Sequence, residues 1–178
     1  MKNILVLILG FLLIGSAALA QPANGVPQTP SPVTFVALKT VVVTPGKSTP
    51  VTFSFHIAPG YHVNSHQPSL PELIPTELHF SLPGSDIVIG RIRYAAGELK
   101  SFAFDPTQQL SVYSGDFMVK GLVVSPPSGS TGMYTVHGEL RYQACDNNAC
   151  YPPKKLSFTF NVRVGAHSRG TRRARTKA

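Results

Sequence analysis

Strict two-residue alternation, in short runs punctuated by Gly and Pro, is what most narrows the folds open to this chain. From Pro50 to Ile57, Val51, Phe53, Phe55 and Ile57 fall on one face and Thr52, Ser54 and His56 on the other. Leu156, Phe158, Phe160, Val162 and Val164 likewise share one face of the run that ends at Val164. Side chains alternate across a strand, so each run has one dry face and one wet face. Further strand-like runs are Val33 to Thr44, Thr76 to Leu82, Ile87 to Tyr94, Leu110 to Val112, Phe117 to Val124 and Met133 to Tyr142. Pro45-Gly46, Pro59-Gly60, Pro83-Gly84, Ser114-Gly115-Asp116 and Ser125-Pro126-Pro127 break the chain between them. Helix signals are poor. About eight or nine short strands of this kind predict an all-β chain folded as a two-layer antiparallel β-sandwich. The sequence contains no Trp, so Phe, Val, Leu and Ile must fill its core.

The ends read differently from the middle. Residues 1–20 carry Lys2, an apolar run from Ile4 to Ile14 broken only by Gly10, and the small-x-small ending Ala18-Leu19-Ala20. That is the pattern of a secretory signal peptide cleaved before Gln21. No later run reaches the roughly 18 apolar residues of a membrane helix, so a soluble exported protein is expected, periplasmic or secreted. Residues 21–32 form a Pro-rich lead-in and residues 33–166 the folded domain. Residues 167–178 form a basic tail expected to be disordered. The tail holds five of the 16 basic residues and no acid, so the formal charge of +8 is largely its doing. It would support at most a weak contact with an anionic surface. Nucleic-acid binding is not expected, because no basic face is interleaved with aromatics that could stack bases.

The only two cysteines are Cys145 and Cys150, in the run Tyr142-Gln143-Ala144-Cys145-Asp146-Asn147-Asn148-Ala149-Cys150-Tyr151-Pro152-Pro153. Export to an oxidising compartment lets them pair. A bridge across four residues adds little stability compared with a long-range one. The short loop leans toward thiol–disulfide exchange, but spacing alone leaves a structural bridge equally open. Pro152 and Pro153 impose an extended exit from the loop. A metal site from His56, His62 and His66 with the cysteines is the weaker alternative, since an oxidised pair would not bind zinc. No nucleophile elbow marks a serine hydrolase. No cofactor is implied.

The Tyr-Gln-Ala-Cys-x4-Cys-Tyr-Pro-Pro run resembles the signature of the periplasmic N-terminal domain family of the disulfide-bond reductase DsbD. Gly60-Tyr61-His62-Val63-Asn64-Ser65 and Pro71-Glu72-Leu73-Ile74-Pro75-Thr76 extend the resemblance, which spans residues 33–164. It implies an immunoglobulin-like sandwich that relays electrons. The donor would be a thioredoxin-like or membrane-embedded thiol protein, and the acceptor an oxidised periplasmic thiol protein. Cys150 would form the mixed disulfide with partners and Cys145 would resolve it. Tyr142, Tyr151 and Pro152 would line the site, and Asp146 would raise the thiol pKa. Ser101-Phe102-Ala103-Phe104-Asp105-Pro106 matches an aromatic cap loop, with Phe102 and Phe104 as the lid; either ring could equally fill core space. The chain departs from the best-studied pattern by having one residue fewer between the cysteines. It also has no Cys-x-x-Cys, so it would either work with separately encoded modules or stand outside that pathway.

Overall fold

A computed structural model of the chain describes residues 31–103 and 105–165. The segments expected as signal peptide and basic tail, most of the expected lead-in, Phe104 and Ala166 lie outside the described residues. Twelve strands follow one another there: β1 (Val33–Val36), β2 (Val41–Val43), β3 (Ser48–Ile57), β4 (His62–Asn64), β5 (Glu77–Ser81), β6 (Val88–Tyr94), β7 (Glu98–Phe102), β8 (Asp105–Tyr113), β9 (Asp116–Val124), β10 (Gly132–Tyr142), β11 (Ala144–Cys145) and β12 (Lys154–Val164). They form three four-stranded sheets with orders β1-β3-β9-β6, β2-β12-β10-β5 and β11-β4-β8-β7. All pairings are antiparallel except β2 with β12, which is parallel.

The first two sheets make the sandwich. Alternation on β3 turns Val51, Phe53, Phe55 and Ile57 inward, and alternation on β12 does the same for Phe158, Phe160, Val162 and Val164. Their rings meet between the sheets. Phe35 stacks on Phe158 with centroids 4.0 Å apart, and Phe53 lies 4.9 Å from Phe80 and 5.3 Å from Phe160. Offset and edge contacts of this kind add to the area each ring buries. The cluster explains Gly138 on β10: a Cβ there would fall 2.3 Å from the Phe158 ring. The fold is thus the all-β sandwich expected from the alternation, in the immunoglobulin-like form that the family resemblance implies.

Two features depart from the expected strands. The run from Val33 to Thr44 is two strands, not one. Val33–Val36 pairs with β3 in the first sheet, while Val41–Val43 pairs with β12 in the second. The chain changes sheet over residues 37–40, a switch that apolar content does not reveal. The second departure is the third sheet. Its strands β4, β7 and β11 were not anticipated, and β8 is longer than the expected Leu110 to Val112. This sheet carries the cysteines.

Candidate functional site

Cys145 ends β11, and Cys150 follows a four-residue turn. The two pair as an isolated antiparallel bridge with Cα atoms 3.9 Å apart, and their sulfurs form a disulfide. The halves differ in access: Cys145 is 0% exposed, whereas Cys150 is exposed. A strand residue backed by β4 is covered by its neighbours, and a residue on the outer limb of a turn is not.

The turn is built around Asp146. Its Oδ1 accepts the amides of Asn148 at 2.7 Å and Ala149 at 2.9 Å, the local pairing that suits Asp to turns. Its Oδ2 accepts the Tyr151 hydroxyl at 2.5 Å. These donors, the Tyr151 hydroxyl first, hold the Asp146 carboxyl below the usual carboxylate range. The same bond pushes the Tyr151 phenol up to about 12. The backbone closes the ring as well, through Asp146 N to Ala149 O at 3.0 Å and Tyr151 N to Ala144 O at 2.8 Å. Pro152 and Pro153 then lead, exposed, into β12.

Behind the cysteines lies β4, buried along its whole length and paired with β11 on one side and β8 on the other. His62 is the register partner of Cys145, so the two side chains share one face of the sheet. The imidazole is only 4% exposed and stacks on Phe102, centroids 3.9 Å apart and planes 14° from parallel. Its Nε2 is buried without a hydrogen-bond partner. Burial first, then the Lys100 charge, lowers its pKa to about 4, with Asp146 opposing, so the ring is neutral at pH 7. Asn64, fully buried, donates from Nδ2 to Ile74 O at 3.0 Å and to Gln143 Oε1 at 3.1 Å. Gln143 in turn donates from Nε2 to Tyr151 O at 3.2 Å. Asn64 and Gln143 thus tie the buried strand to the exit of the cysteine loop.

Several expected site residues therefore lie near the bridge and others do not. Tyr151 is 38% exposed beside Cys150, its ring 6.1 Å from that of Tyr61. Tyr142 is not an exposed wall: it is 0% exposed, belongs to the sandwich core, and bonds its hydroxyl to Ser31 Oγ at 2.6 Å. The segment expected as a cap loop is the tip of the β7–β8 hairpin, with Phe102 opposite Asp105. Phe102 reaches His62 from there. The histidines weighed as metal ligands have separate partners: His56 pairs with Asp116 at 2.7 Å, and His66 stacks on Tyr94 at 3.8 Å. Among the described residues no cluster of His, Cys, Asp or Glu is arranged to hold a metal ion. Sequence reasoning missed Asn64 and Gln143 as supports. Each sits inside one of the runs that carry the family resemblance.

Three solved structures similar to this chain share little sequence with it. The reduced DsbD N-terminal domain of Neisseria meningitidis is 21% identical, over 63% of this chain and 76% of that one, with a TM-score of 0.41. The N-terminal periplasmic domain of ScsB from Proteus mirabilis is 14% identical, over 72% of this chain and 44% of that one, with a TM-score of 0.43. The complex of the DsbD and PilB N-terminal domains from Neisseria meningitidis aligns at 21% identity, over 62% and 73%, with a TM-score of 0.40. No curated protein sequence matches. The family model described as thiol:disulfide interchange protein DsbD, N-terminal, matches residues 28–161. Since that span takes in both cysteines and every strand except the last three residues of β12, the chain belongs to the DsbD N-terminal domain family, and its location is periplasmic or secreted.

Proposed function

We propose that this domain is a thiol–disulfide exchange module of the periplasm. It takes two electrons from a thioredoxin-like or membrane-embedded dithiol and passes them to an oxidised envelope protein. The observation that carries the reading is the asymmetry of the bridge: one sulfur belongs to a fully buried residue and the other to an exposed one beside Tyr151. Exchange needs an accessible sulfur for attack and a leaving thiolate on the other side. In this reading a donor thiolate attacks Cys150 Sγ, the Cys145–Cys150 bond breaks, and Cys145 leaves as a thiolate that takes up a proton. The donor's second thiolate then attacks the mixed disulfide and releases Cys150. The donor ends as a disulfide, and two electrons and two protons end on the domain. Delivery runs the same steps with an oxidised acceptor. Neisserial DsbD N-terminal domain forms a complex with the PilB N-terminal domain, and a domain-to-domain encounter of that kind is what exchange requires here.

Burial of Cys145 and the hydrogen-bonded turn favour a second reading. In it the domain is a secreted binding or scaffold sandwich whose disulfide is static. Trapping separates the two. Incubated with an oxidised thioredoxin-like protein, Cys145→Ala should accumulate a mixed disulfide through Cys150, and Cys150→Ala should not. Equal trapping by both variants contradicts the assignment of roles, and no adduct with either supports the static bridge.

A further inference from the structure

The loop between the cysteines is closed twice, once by sulfur and once without it. Two of the sulfur-free bonds bracket the pair from outside: Tyr151 N to Ala144 O at 2.8 Å and Gln143 Nε2 to Tyr151 O at 3.2 Å. A third, the Tyr151 hydroxyl on Asp146 Oδ2 at 2.5 Å, joins the residue after Cys150 to the residue after Cys145. Asp146 Oδ1 meanwhile holds the amides of Asn148 and Ala149, so the chain between the cysteines is folded onto the same carboxylate. Bonds to an ionised acceptor are among the stronger hydrogen bonds. None of them involves a sulfur atom.

We propose that Asp146 and Tyr151 act as positioning residues, a sulfur-independent clasp that keeps the two thiols of the reduced domain within bonding reach and so sets how readily the pair is reduced. The inference rests on the exchange reading above. Closing a dithiol depends on the effective concentration of one thiol at the other. A free loop lets Cys150 swing away from Cys145 after reduction and so favours the reduced form. A clasped loop keeps the pair together and favours the bridge. Linkage makes the effect reciprocal: the bridge stabilises the clasp as much as the clasp stabilises the bridge. A turn that served only to complete the fold would alter stability without altering this balance.

The test compares the native chain with Asp146→Ala, Asp146→Asn and Tyr151→Phe. Each is equilibrated in dithiothreitol redox buffers of graded potential and read with a thiol-alkylating mass tag. Asp146→Ala and Tyr151→Phe should shift the equilibrium toward the dithiol by about 3- to 10-fold, the upper figure being about 30 mV for a two-electron couple. Asp146→Asn keeps one oxygen for the amides of Asn148 and Ala149 and can turn its Nδ2 to donate to the Tyr151 oxygen, so it should recover part of the native value. If the native chain titrates reversibly while all three variants coincide with it, the clasp is wrong and the exchange reading stands. If the native bridge never opens, the exchange reading fails and takes the clasp with it. A second measurement does not depend on the variants folding. In the reduced native chain the Tyr151 phenol should still titrate above the ordinary tyrosine range, held there by its bond to Asp146, read from the Tyr151 ring resonance in NMR. Its return to the ordinary tyrosine range on reduction would overturn the clasp.

Discussion

The sandwich hides rings from Phe53, Phe55, Phe158 and Phe160 between two sheets, with Phe35 and Phe80 packed at their edge, whereas the third sheet hides polar side chains. His62, Asn64, Ser65 and Thr76 are all buried in or beside β4. The two buried polar atoms left without partners among the described residues, His62 Nε2 and Asn64 Oδ1, belong to the same strand. Apolar burial is non-directional and scales with area. Polar burial costs free energy unless each group finds a partner, so it is tolerated where geometry matters more than stability. Stability therefore resides in the phenylalanine layer. The strand behind the disulfide gives up part of its stability to hold particular groups beside Cys145.

That contrast can be broken at its strong end first. Phe53→Ala should cost about 3 to 5 kcal/mol in urea unfolding, because it empties a fully enclosed site. The folded fraction should keep its disulfide equilibrium unchanged; a shifted equilibrium would show that core and site are not separable. At the other region, Asn64→Ala should cost about 1 to 3 kcal/mol, since it strands Ile74 O and loosens Gln143. Unlike Phe53→Ala, it should also alter the reactivity of the bridge. Identical exchange rates in native and Asn64→Ala chains would remove Asn64 from the site.

His62 supplies a pH test. Its pKa is about 4 in the folded chain against 6.5 unfolded. Between those values the unfolded chain binds a proton that the native chain refuses, so stability falls as pH falls through that window. The loss should amount to about 1 to 3 kcal/mol and level off below the folded value. His62→Phe should flatten this slope. A slope unchanged by the substitution would mean that His62 titrates normally. The smallest effect belongs to the outer surface of the sandwich. Asp116→Ala, which breaks the exposed pair with His56, should change stability by less than about 1 kcal/mol and leave the bridge untouched.

The same contrast explains what the sequence makes legible. β3, β9, β10 and β12 announce themselves because each has one dry face and one wet face over nine or more residues. β4 does not, since three buried residues, two of them polar, present no alternation. β11 is two residues long, and β7 lies mostly exposed with Leu99 outward. The split of Val33 to Thr44 between two sheets is equally silent, because both halves are apolar. At the site, Cys145, Cys150, Asp146 and Tyr151 stand out by type and spacing. The support from Asn64 and Gln143 does not, because a buried amide in mid-sheet looks in sequence like any surface amide. Tyr142 misleads for the opposite reason: its neighbours in sequence are at the site, but the inward register at the end of β10 puts it in the core.

Exchange by this domain requires a bridge that opens and closes reversibly. The direct measurement is a redox titration of the purified domain, with thiols counted by alkylating mass tag. Exchange predicts a fully reversible two-electron transition at roughly −200 to −250 mV, within the span of known exchange proteins. A bridge still closed below about −300 mV would contradict it and leave a sandwich with a structural disulfide.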